Sequence, residues 1–168
     1  MLYLGWLLPI YYTLPMQLAL YQPEIPQNTG TLLRLGACLG VAVNIIGPCG
    51  FAFSERQLKR AGMDYIDYGE IKYHTSWQTF LSSLTNERLI LLSPYGASAY
   101  TDFAFQPLDI LLVGQESSGV PQEVWAQTHA QIAIPMRPPC RSLNVALAAS
   151  IVLSEALRQT HLLPPLLS

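Results

Sequence analysis

Residues 141–144 bring guanidinium, hydroxyl and amide groups to the start of a long apolar helix. A short apolar strand and a proline-broken loop precede them, and the helix carries no charge until Glu155. The first N–H groups of a helix have no partner within it, so they bind a ligand or another segment. We therefore expect Ser142 and Asn144 to face a ligand or a second loop. The helix itself should be buried on nearly every side, with Ser142 as a candidate for its cap.

A second polar segment is Asn28-Thr29-Gly30, with Arg34 beyond it. Asn28 suits the N-cap of a helix, and Gly30 allows a ligand to come close to the backbone. Arg34 stands among leucines, which predicts a packed stem and a charged head that reaches out. An ordinary capped helix with a solvated arginine explains the same residues, so this segment alone does not define a site.

A third segment, Gly114 to Pro121, follows a buried strand and opens a helix. Glu116 is its one acid, and a carboxylate here would offset a cationic ligand or hold a neighbouring loop in place. A solvated turn is the alternative. The loop 94–96 after another strand also lines a pocket if it faces one.

Charge is scarce in this chain: 12% of its 168 residues are charged and the net charge is −2. No general basic field for nucleic acid follows from that balance. The basic cluster Arg56, Lys59 and Arg60 is a local candidate for RNA contact, although such clusters are usually solvated helix faces. So little surface charge also favours a large apolar face covered by a second subunit.

Metal binding and disulfides are not expected. The three cysteines, Cys38, Cys49 and Cys140, are odd in number and lack CxxC spacing, which favours reduced thiols in the cytoplasm. The three histidines are scattered. Prolines interrupt the apolar residues 1–16, which are too few to span a membrane, so we expect no membrane partner.

Strand-like and helix-like patterns alternate along the chain. Strands are predicted over 17–21, 41–46, 63–68, 88–93, 109–113 and 131–134, and helices over 29–39, 54–61, 75–84, 122–128 and 143–160. Apolar strands separated by helices predict an α/β fold with a parallel sheet covered on both faces. Its ligands bind beyond the carboxyl ends of the strands. The first strand lacks the GxGxxG fingerprint, which disfavours a Rossmann dehydrogenase or methyltransferase.

We expect three parts: a non-core extension over 1–16, one domain over 17–161 and a frayed tail over 162–168. Four segments of the domain together resemble the SPOUT superfamily of knotted methyltransferases. They are LYQPEIPQNTGTLLRLGACLG, IIGPCGFAFSERQLKRAGMDY, LLVGQESSGVP and IPMRPPCRSLNVALAASIVLSEALRQ. The resemblance is strongest to the small subfamily that methylates the ribose 2'-hydroxyl of the wobble nucleotide, cytidine or modified uridine, of tRNA.

This resemblance implies a C-terminal trefoil knot, a homodimer, S-adenosylmethionine as cofactor and tRNA as substrate. By motif position, the cofactor loops contain Leu92, Gly114, Ile134 and Ser142, with Ser93, Glu116, Met136, Leu143 and Asn144 as neighbours. The reacting face contains Arg34, which would stabilise negative charge, with Asn28, Ser142 and Asn144 orienting the reactants. RNA contacts are expected from Arg56, Lys59, Arg60, Lys72 and Arg141.

Two positions depart from the family pattern. Ser117-Ser118 stands where members often have Thr-Arg or Thr-Thr, and Ala146 stands where many repeat a serine. These departures keep open a catalytically silent RNA-binding dimer of the same fold. An enzyme of the superfamily that acts on another RNA is a further alternative, whereas a flavodoxin-like nucleotide binder does not account for residues 141–144.

Overall fold

The computed structural model describes residues 14–52 and 69–166. Within them, seven parallel strands form one sheet in the order β3-β2-β1-β6-β4-β7-β5. The strands are β1 (Leu14–Tyr21), β2 (Val41–Ile46), β3 (Ile71–His74), β4 (Arg88–Leu92), β5 (Ser98–Ala99), β6 (Asp109–Val113) and β7 (Ala130–Ala133). The helices are α1 (Pro26–Leu39), α2 (Trp77–Leu81), α3 (Gln122–Trp125) and α4 (Val145–Gln159).

Both faces of this sheet are buried, as the continuous apolar strands predict. Leu18 and Leu20 of β1 point to the face that α1 and α4 cover. The alternating residues Ala19 and Tyr21 point to the other face, where Trp77 and further apolar side chains of α2 and α3 pack. Helices on both sides of a parallel sheet are the predicted α/β class, which the structure confirms.

The strand order decides which loops meet. β1, β6, β4 and β7 are consecutive in the sheet. Because all of them run in the same direction, the loops that follow them emerge side by side at one edge. Segments as distant in sequence as 22–25, 93–97, 114–121 and 134–144 are therefore neighbours in space.

The structure corrects the sequence-based expectations in three respects. β1 begins at Leu14, inside the expected extension, because Met16 inserts into the core and is only 1% exposed. The edge strands β3 and β5 were not predicted. The expectation that the last helix is buried on nearly every side is wrong for a single chain, because Leu147 and Ile151 are 60% and 41% exposed.

Some expectations fall on residues that the structure does not describe. The predicted helix 54–61, which carries Arg56, Lys59 and Arg60, and the predicted strand 63–68 lie outside the described residues, as do residues 1–13 of the extension. The trefoil knot and the frayed tail stay predictions, although Leu162 at the start of that tail packs against the core.

Candidate active site

A cavity of about 820 Å³ opens at the edge of the sheet where the loops after β4, β6 and β7 meet. Its walls also include the first turns of α1 and α4. The residues that the sequence assigned to cofactor binding all line it: Leu92, Ser93, Gly114, Glu116, Ile134, Met136, Ser142, Leu143 and Asn144. The sequence therefore identified one continuous surface, although these residues come from three separate loops.

The loop after β6 is a closed turn that requires glycine at two positions. Gln115 and Gly119 exchange two backbone hydrogen bonds of 2.8 and 3.0 Å. Gly119 has φ of 69°, a conformation that side chains with a Cβ rarely adopt. A Cβ on Gly114 would lie 2.4 Å from the carbonyl carbon of Gly119. The turn is thus fixed by its own backbone, and it presents Glu116 in a defined direction.

Glu116 joins this turn to the loop after β1. Its Oε2 accepts a 2.9 Å hydrogen bond from the backbone N–H of Glu24, and its Oε1 accepts one of 3.0 Å from Nδ2 of Asn28. Both carboxylate oxygens are therefore occupied by donors from one neighbouring segment. The expectation that Glu116 holds a neighbouring loop in place is confirmed.

Asn144 extends the same chain of contacts to α4. It is the N-cap of that helix, since its Oδ1 accepts from the N–H groups of Ala146 and Leu147, at 2.9 and 3.3 Å. Its Nδ2 donates a 2.9 Å hydrogen bond to Oδ1 of Asn28. The continuous path from Glu116 through Asn28 to Asn144, which we call the three-loop network, holds together the segments after β1, β6 and β7.

Two capping expectations are wrong. The N-cap of α1 is Ile25, with Pro26 as the first helical residue, so Asn28 lies inside the helix. Its side chain is consequently available to the three-loop network rather than to its own helix. Ser142 is not the cap of α4 either, because the chain remains non-helical until Asn144. Proline at the first helical position explains the early start of α1, since its ring fixes φ near the helical value.

Three hydrogen-bond donors remain unused on the cavity wall. An asparagine amide nitrogen carries two hydrogens, and Nδ2 of Asn28 and Nδ2 of Asn144 each donate one hydrogen bond. The hydroxyl of Ser142, which is exposed, has no hydrogen-bond partner among the described residues. The network therefore fixes the two amides while leaving one N–H of each for a ligand.

Glu24 is a residue of this region that the sequence analysis missed. Its carboxylate accepts hydrogen bonds from the backbone N–H and the hydroxyl of Ser117, at 2.9 and 2.8 Å. Glu24 and Glu116 thus connect the same two loops, because the carboxylate of each accepts hydrogen bonds from the loop that contains the other. A carboxylate in the loop that also carries Asn28 was the available signal, but its partner lies 93 residues away in the chain.

The predicted cations are distributed unevenly. Arg141 is exposed and lines the cavity. Arg34 is exposed on α1 but does not line the cavity; it follows Asn28 by six residues, about 9 Å along a helix axis. Lys72 forms a 3.0 Å ion pair with Glu70 on the edge strand β3.

A second polar network lies inside the sheet. Asn44 of β2 is 2% exposed; its Nδ2 donates to Oε1 of Gln17 at 2.9 Å and its Oδ1 lies 2.9 Å from Nε2 of His74. Burial, and then the charge of Lys72, lower the pKa of His74 below its ordinary value. Every buried side-chain polar atom in the described part of the chain has a partner. This network, which we call the interior network, leaves nothing for a ligand.

Within residues 14–52 and 69–166, no cluster of histidine, cysteine, aspartate or glutamate has the arrangement of a metal site. The cysteines Cys38, Cys49 and Cys140 are free thiols. No helix of the same two ranges is both long and apolar enough to cross a membrane.

Residues 15–154 match the model of a known family, described as the SpoU rRNA methylase family. The chain belongs to this family. The SpoU assignment agrees with the resemblance carried by the four sequence segments, and the family fold accounts for the parallel sheet with its ligand loops at one edge.

Individual SpoU relatives are close to this chain. A tRNA (cytidine(34)-2'-O)-methyltransferase of Beijerinckia indica is 57% identical over 144 residues, covering 84% of this chain and 90% of the relative. The enzyme of the same name from Escherichia coli K12 is 38% identical over 146 residues, with coverages of 86% and 93%.

Solved structures of the SpoU family agree with this. A structure described as giving insights into the 2-OH methylation of C/U34 on tRNA superposes with a TM-score of 0.80 at 42% identity, covering 86% of this chain and 95% of the other. An AdoMet-bound rRNA methyltransferase of Sinorhizobium meliloti reaches a TM-score of 0.77 at 27% identity, but only 61% of that chain is covered.

Proposed function

We propose that this protein transfers a methyl group from S-adenosylmethionine to the ribose 2'-hydroxyl of the wobble nucleotide, cytidine 34 or a modified uridine 34, of tRNA. The observation that carries the proposal is the three-loop network: Glu116 fixes Asn28, and Asn28 and Asn144 each keep one unused N–H group on the wall of a cavity of about 820 Å³. The sequence supports the same proposal, because the chain is 57% identical over 144 residues to a tRNA (cytidine(34)-2'-O)-methyltransferase.

The cavity suits the cofactor in size and lining. A volume of about 820 Å³ lies in the range of small-molecule sites. Apolar side chains such as Ile134, Met136 and Leu143 would hold the adenosine, while the hydroxyl of Ser142 and the backbone near Leu92 and Gly114 would meet its polar groups. When bound, S-adenosylmethionine supplies an electrophilic methyl group on a sulfonium.

The residues of this chain would then position the acceptor. The spare N–H groups of Asn28 and Asn144 can donate to ribose oxygens, and Glu116 keeps the amide of Asn28 from rotating. Holding two reacting atoms near contact supplies several kcal/mol of the barrier, because the entropy of orientation is lost before the reaction. Glu116 serves as an anchor here, since both its oxygens already accept hydrogen bonds.

Arg34 is our candidate for stabilising the negative charge that develops on the ribose oxygen. A guanidinium remains protonated, so it acts by charge rather than as a base. Its position outside the cavity lining means that the acceptor strand must extend over α1 to meet it. This role rests on the motif position of Arg34 and on its exposure on the same helix that carries Asn28.

We also propose that the protein is a homodimer. Leu147 and Ile151 are 60% and 41% exposed, and their spacing of four residues places them on one side of α4. A second copy seated on this ridge would remove it from water. Because α1 packs against α4, such a partner would lie beside the exposed residues of α1, including Arg34. Sedimentation equilibrium that gives the mass of one chain would contradict this.

Arg141 and the cluster Arg56, Lys59 and Arg60 are proposed RNA contacts. RNA of this kind is recognised through unstacked loop bases and their riboses rather than through a duplex groove. Because the proposed substrate is tRNA, we also propose that the protein is located in the cytoplasm. The expected reduced state of its cysteines favours the same location.

Two alternatives differ in their predictions. Methylation of ribosomal RNA is favoured by the family's description, but this chain covers 95% of the C/U34-methylation structure against 61% of the rRNA enzyme. A silent RNA-binding dimer is favoured only by Ser118 and Ala146. The hydrogen bonds of Ser117 to Glu24 show that serine still serves to join the loops there.

The function is tested by incubating the protein with methyl-labelled S-adenosylmethionine and total tRNA, followed by nuclease mapping of the label. Label on the ribose of nucleotide 34 is expected. Label elsewhere in tRNA, or in ribosomal RNA only, would assign another substrate. Calorimetric binding of the cofactor without any transfer would support the silent dimer.

A further inference from the structure

Only two basic side chains in the described part of the chain lack a hydrogen bond or an ion pair, and they are close in sequence. The described part has few basic residues. It contains six lysines and arginines. Lys72, Arg88 and Arg158 form ion pairs with Glu70, Asp109 and Glu155, and Arg34 also makes an interaction. The remaining two, Arg137 and Arg141, are exposed and make no side-chain hydrogen bond or ion pair with the described residues.

Arg137 and Arg141 flank a turn at the rim of the cavity. The N–H of Cys140 donates a 3.0 Å hydrogen bond to the carbonyl oxygen of Arg137, which closes the turn. In such a turn the two arginine Cα atoms lie within about 11 Å of each other, a distance that two long side chains span. Met136 and Arg141 line the cavity, so the turn stands directly at its opening.

Tyr95 presents an aromatic ring on the neighbouring loop. It is 85% exposed, lines the cavity, and its hydroxyl has no partner among the described residues. Its loop is held close to β7: the backbone N–H groups of Ser93 and Ala97 donate hydrogen bonds of 3.0 Å to the carbonyl oxygens of Ile132 and Gln131. A Cβ on Gly96 would lie 2.2 Å from the carbonyl carbon of Ile132. The ring and the arginine turn therefore follow adjacent strands, β4 and β7, at one edge of the cavity.

We infer that Tyr95, Arg137 and Arg141 form a docking rim for single-stranded RNA, with the tyrosine stacking on an unpaired base and the arginines holding backbone phosphates. This inference rests on the proposed function and specifies how the acceptor strand reaches the cavity. The planar donors of an arginine guanidinium match the geometry of a phosphate, and any base can stack on an aromatic ring. In a chain with a net charge of −2, the rim supplies the local positive charge that the whole molecule lacks.

The two parts of the rim predict different signatures in a binding experiment. An anticodon stem-loop RNA is titrated with the full chain at several salt concentrations, with S-adenosylhomocysteine present to prevent turnover. For Arg137→Ala and Arg141→Ala, the slope of log affinity against log salt falls by about 0.7 each. Tyr95→Ala weakens binding on the order of tenfold without changing the slope, and Tyr95→Phe restores it because the ring is retained.

Two controls sharpen this experiment. Arg158→Ala removes the same charge at an exposed position on α4 and should leave affinity and slope unchanged. RNAs with a single neutral methylphosphonate linkage locate the contact. When the linkage replaces the phosphate that Arg137 binds, it should lower the affinity of the wild-type protein. The same linkage should leave the affinity of Arg137→Ala unchanged, because the variant has already lost that contact.

The rim and the proposed function fail in different ways. If the wild type methylates nucleotide 34 of the stem-loop while all three alanine variants bind it with wild-type affinity and slope, the rim is wrong and the function stands. If the variants lose cofactor affinity in calorimetry and keep RNA affinity, the rim belongs to the cofactor site and the inference is overturned. If the wild type neither binds nor methylates the stem-loop, the proposed function fails as well.

Discussion

The three-loop network and the interior network both depend on asparagine side chains, but they differ in the number of hydrogen-bond donors that stay unused. Asn28 and Asn144 join separate loops at the carboxyl edge of the sheet, and each retains an unused N–H on a cavity wall. Asn44 joins adjacent strands within the sheet and is surrounded by partners, among them Gln17 and His74. An amide that is fixed yet incompletely satisfied can bind a ligand, whereas one that is fully satisfied stabilises the fold.

The largest expected effect concerns a residue outside both networks. Arg34→Ala should lower turnover at least about 1,000-fold, roughly 4 kcal/mol of transition-state stabilisation, because charge at the ribose oxygen loses its counterpart. Cofactor affinity measured by calorimetry should remain nearly unchanged. Arg34→Lys should recover only part of the rate, since a point charge lacks the planar fork of donors. Methylation by Arg34→Ala at the wild-type rate would remove Arg34 from the mechanism.

Asn28→Ala should lower kcat on the order of 100-fold, about 2.7 kcal/mol, because it removes a donor and releases Glu116 and Asn144. Steady-state methylation of the stem-loop measures this. The melting temperature should change little, as Asn28 is only partly buried. Asn86→Ala, at an exposed position outside the cavity, is the matched control, and an equal loss there would deny Asn28 a specific role.

Asn44→Ala should lower the stability of the protein and leave kcat nearly unchanged, the reverse of the result expected for Asn28→Ala. It leaves His74 and Gln17 without their buried partner, at a cost of about 1–3 kcal/mol in the free energy of unfolding. Urea unfolding measures that loss, again against Asn86→Ala. The folded fraction should keep kcat within about twofold of the wild type. A stable variant with low kcat would place Asn44 in the reaction and remove the distinction between the two networks.

Glu24→Gln tests how much the hydrogen bonds between Glu24 and Ser117 contribute to the rate of methylation. The change weakens the two hydrogen bonds from Ser117, and we expect kcat to fall about tenfold, or ~1.4 kcal/mol, with KM for the cofactor unchanged. Glu24→Asp should recover less than half of the loss, because its shorter chain does not reach both donors. Glu123→Gln on α3 is the control. A variant that loses cofactor affinity alone would make Glu24 part of that binding site.

The smallest effect is the pH dependence of the interior network. The folded state lowers the pKa of His74, so the unfolded chain binds a proton more readily just below pH 6.5. The stabilisation by neutral His74 is therefore present above that pH and is lost as the pH falls through the lowered value. Urea unfolding at pH 7.5 and 5.5 should show a larger loss for the wild type than for His74→Gln. Equal losses would mean that His74 does not titrate in this way.

Much of the fold was predictable because its strands are buried on both sides. The strands 41–46 and 109–113 were predicted with their observed bounds, since continuous apolar residues mark them. β3 and β5 were missed because they are edge strands: Lys72 and Tyr73 are exposed, and β5 has only two residues. Their pairing depends on neighbours that no local pattern reveals.

The site was predictable in its members but not in its connections. Glycines and polar residues after apolar strands indicated the loops around Gly114 and Ser142, and the structure brings them to one cavity. The links of Asn28 to Glu116 and of Glu24 to Ser117 span 88 and 93 residues, and they depend on the strand order, which the sequence did not determine.

The most direct test of the central claim compares two anticodon stem-loops that differ in a single atom, with a 2'-hydroxyl or a 2'-hydrogen at nucleotide 34. Both are incubated with the protein and S-adenosylmethionine, and the products are weighed by mass spectrometry. The account predicts one added methyl group on the ribose form and none on the deoxy form. Methylation of the deoxy form would contradict it, because the acceptor would then be a base or another ribose.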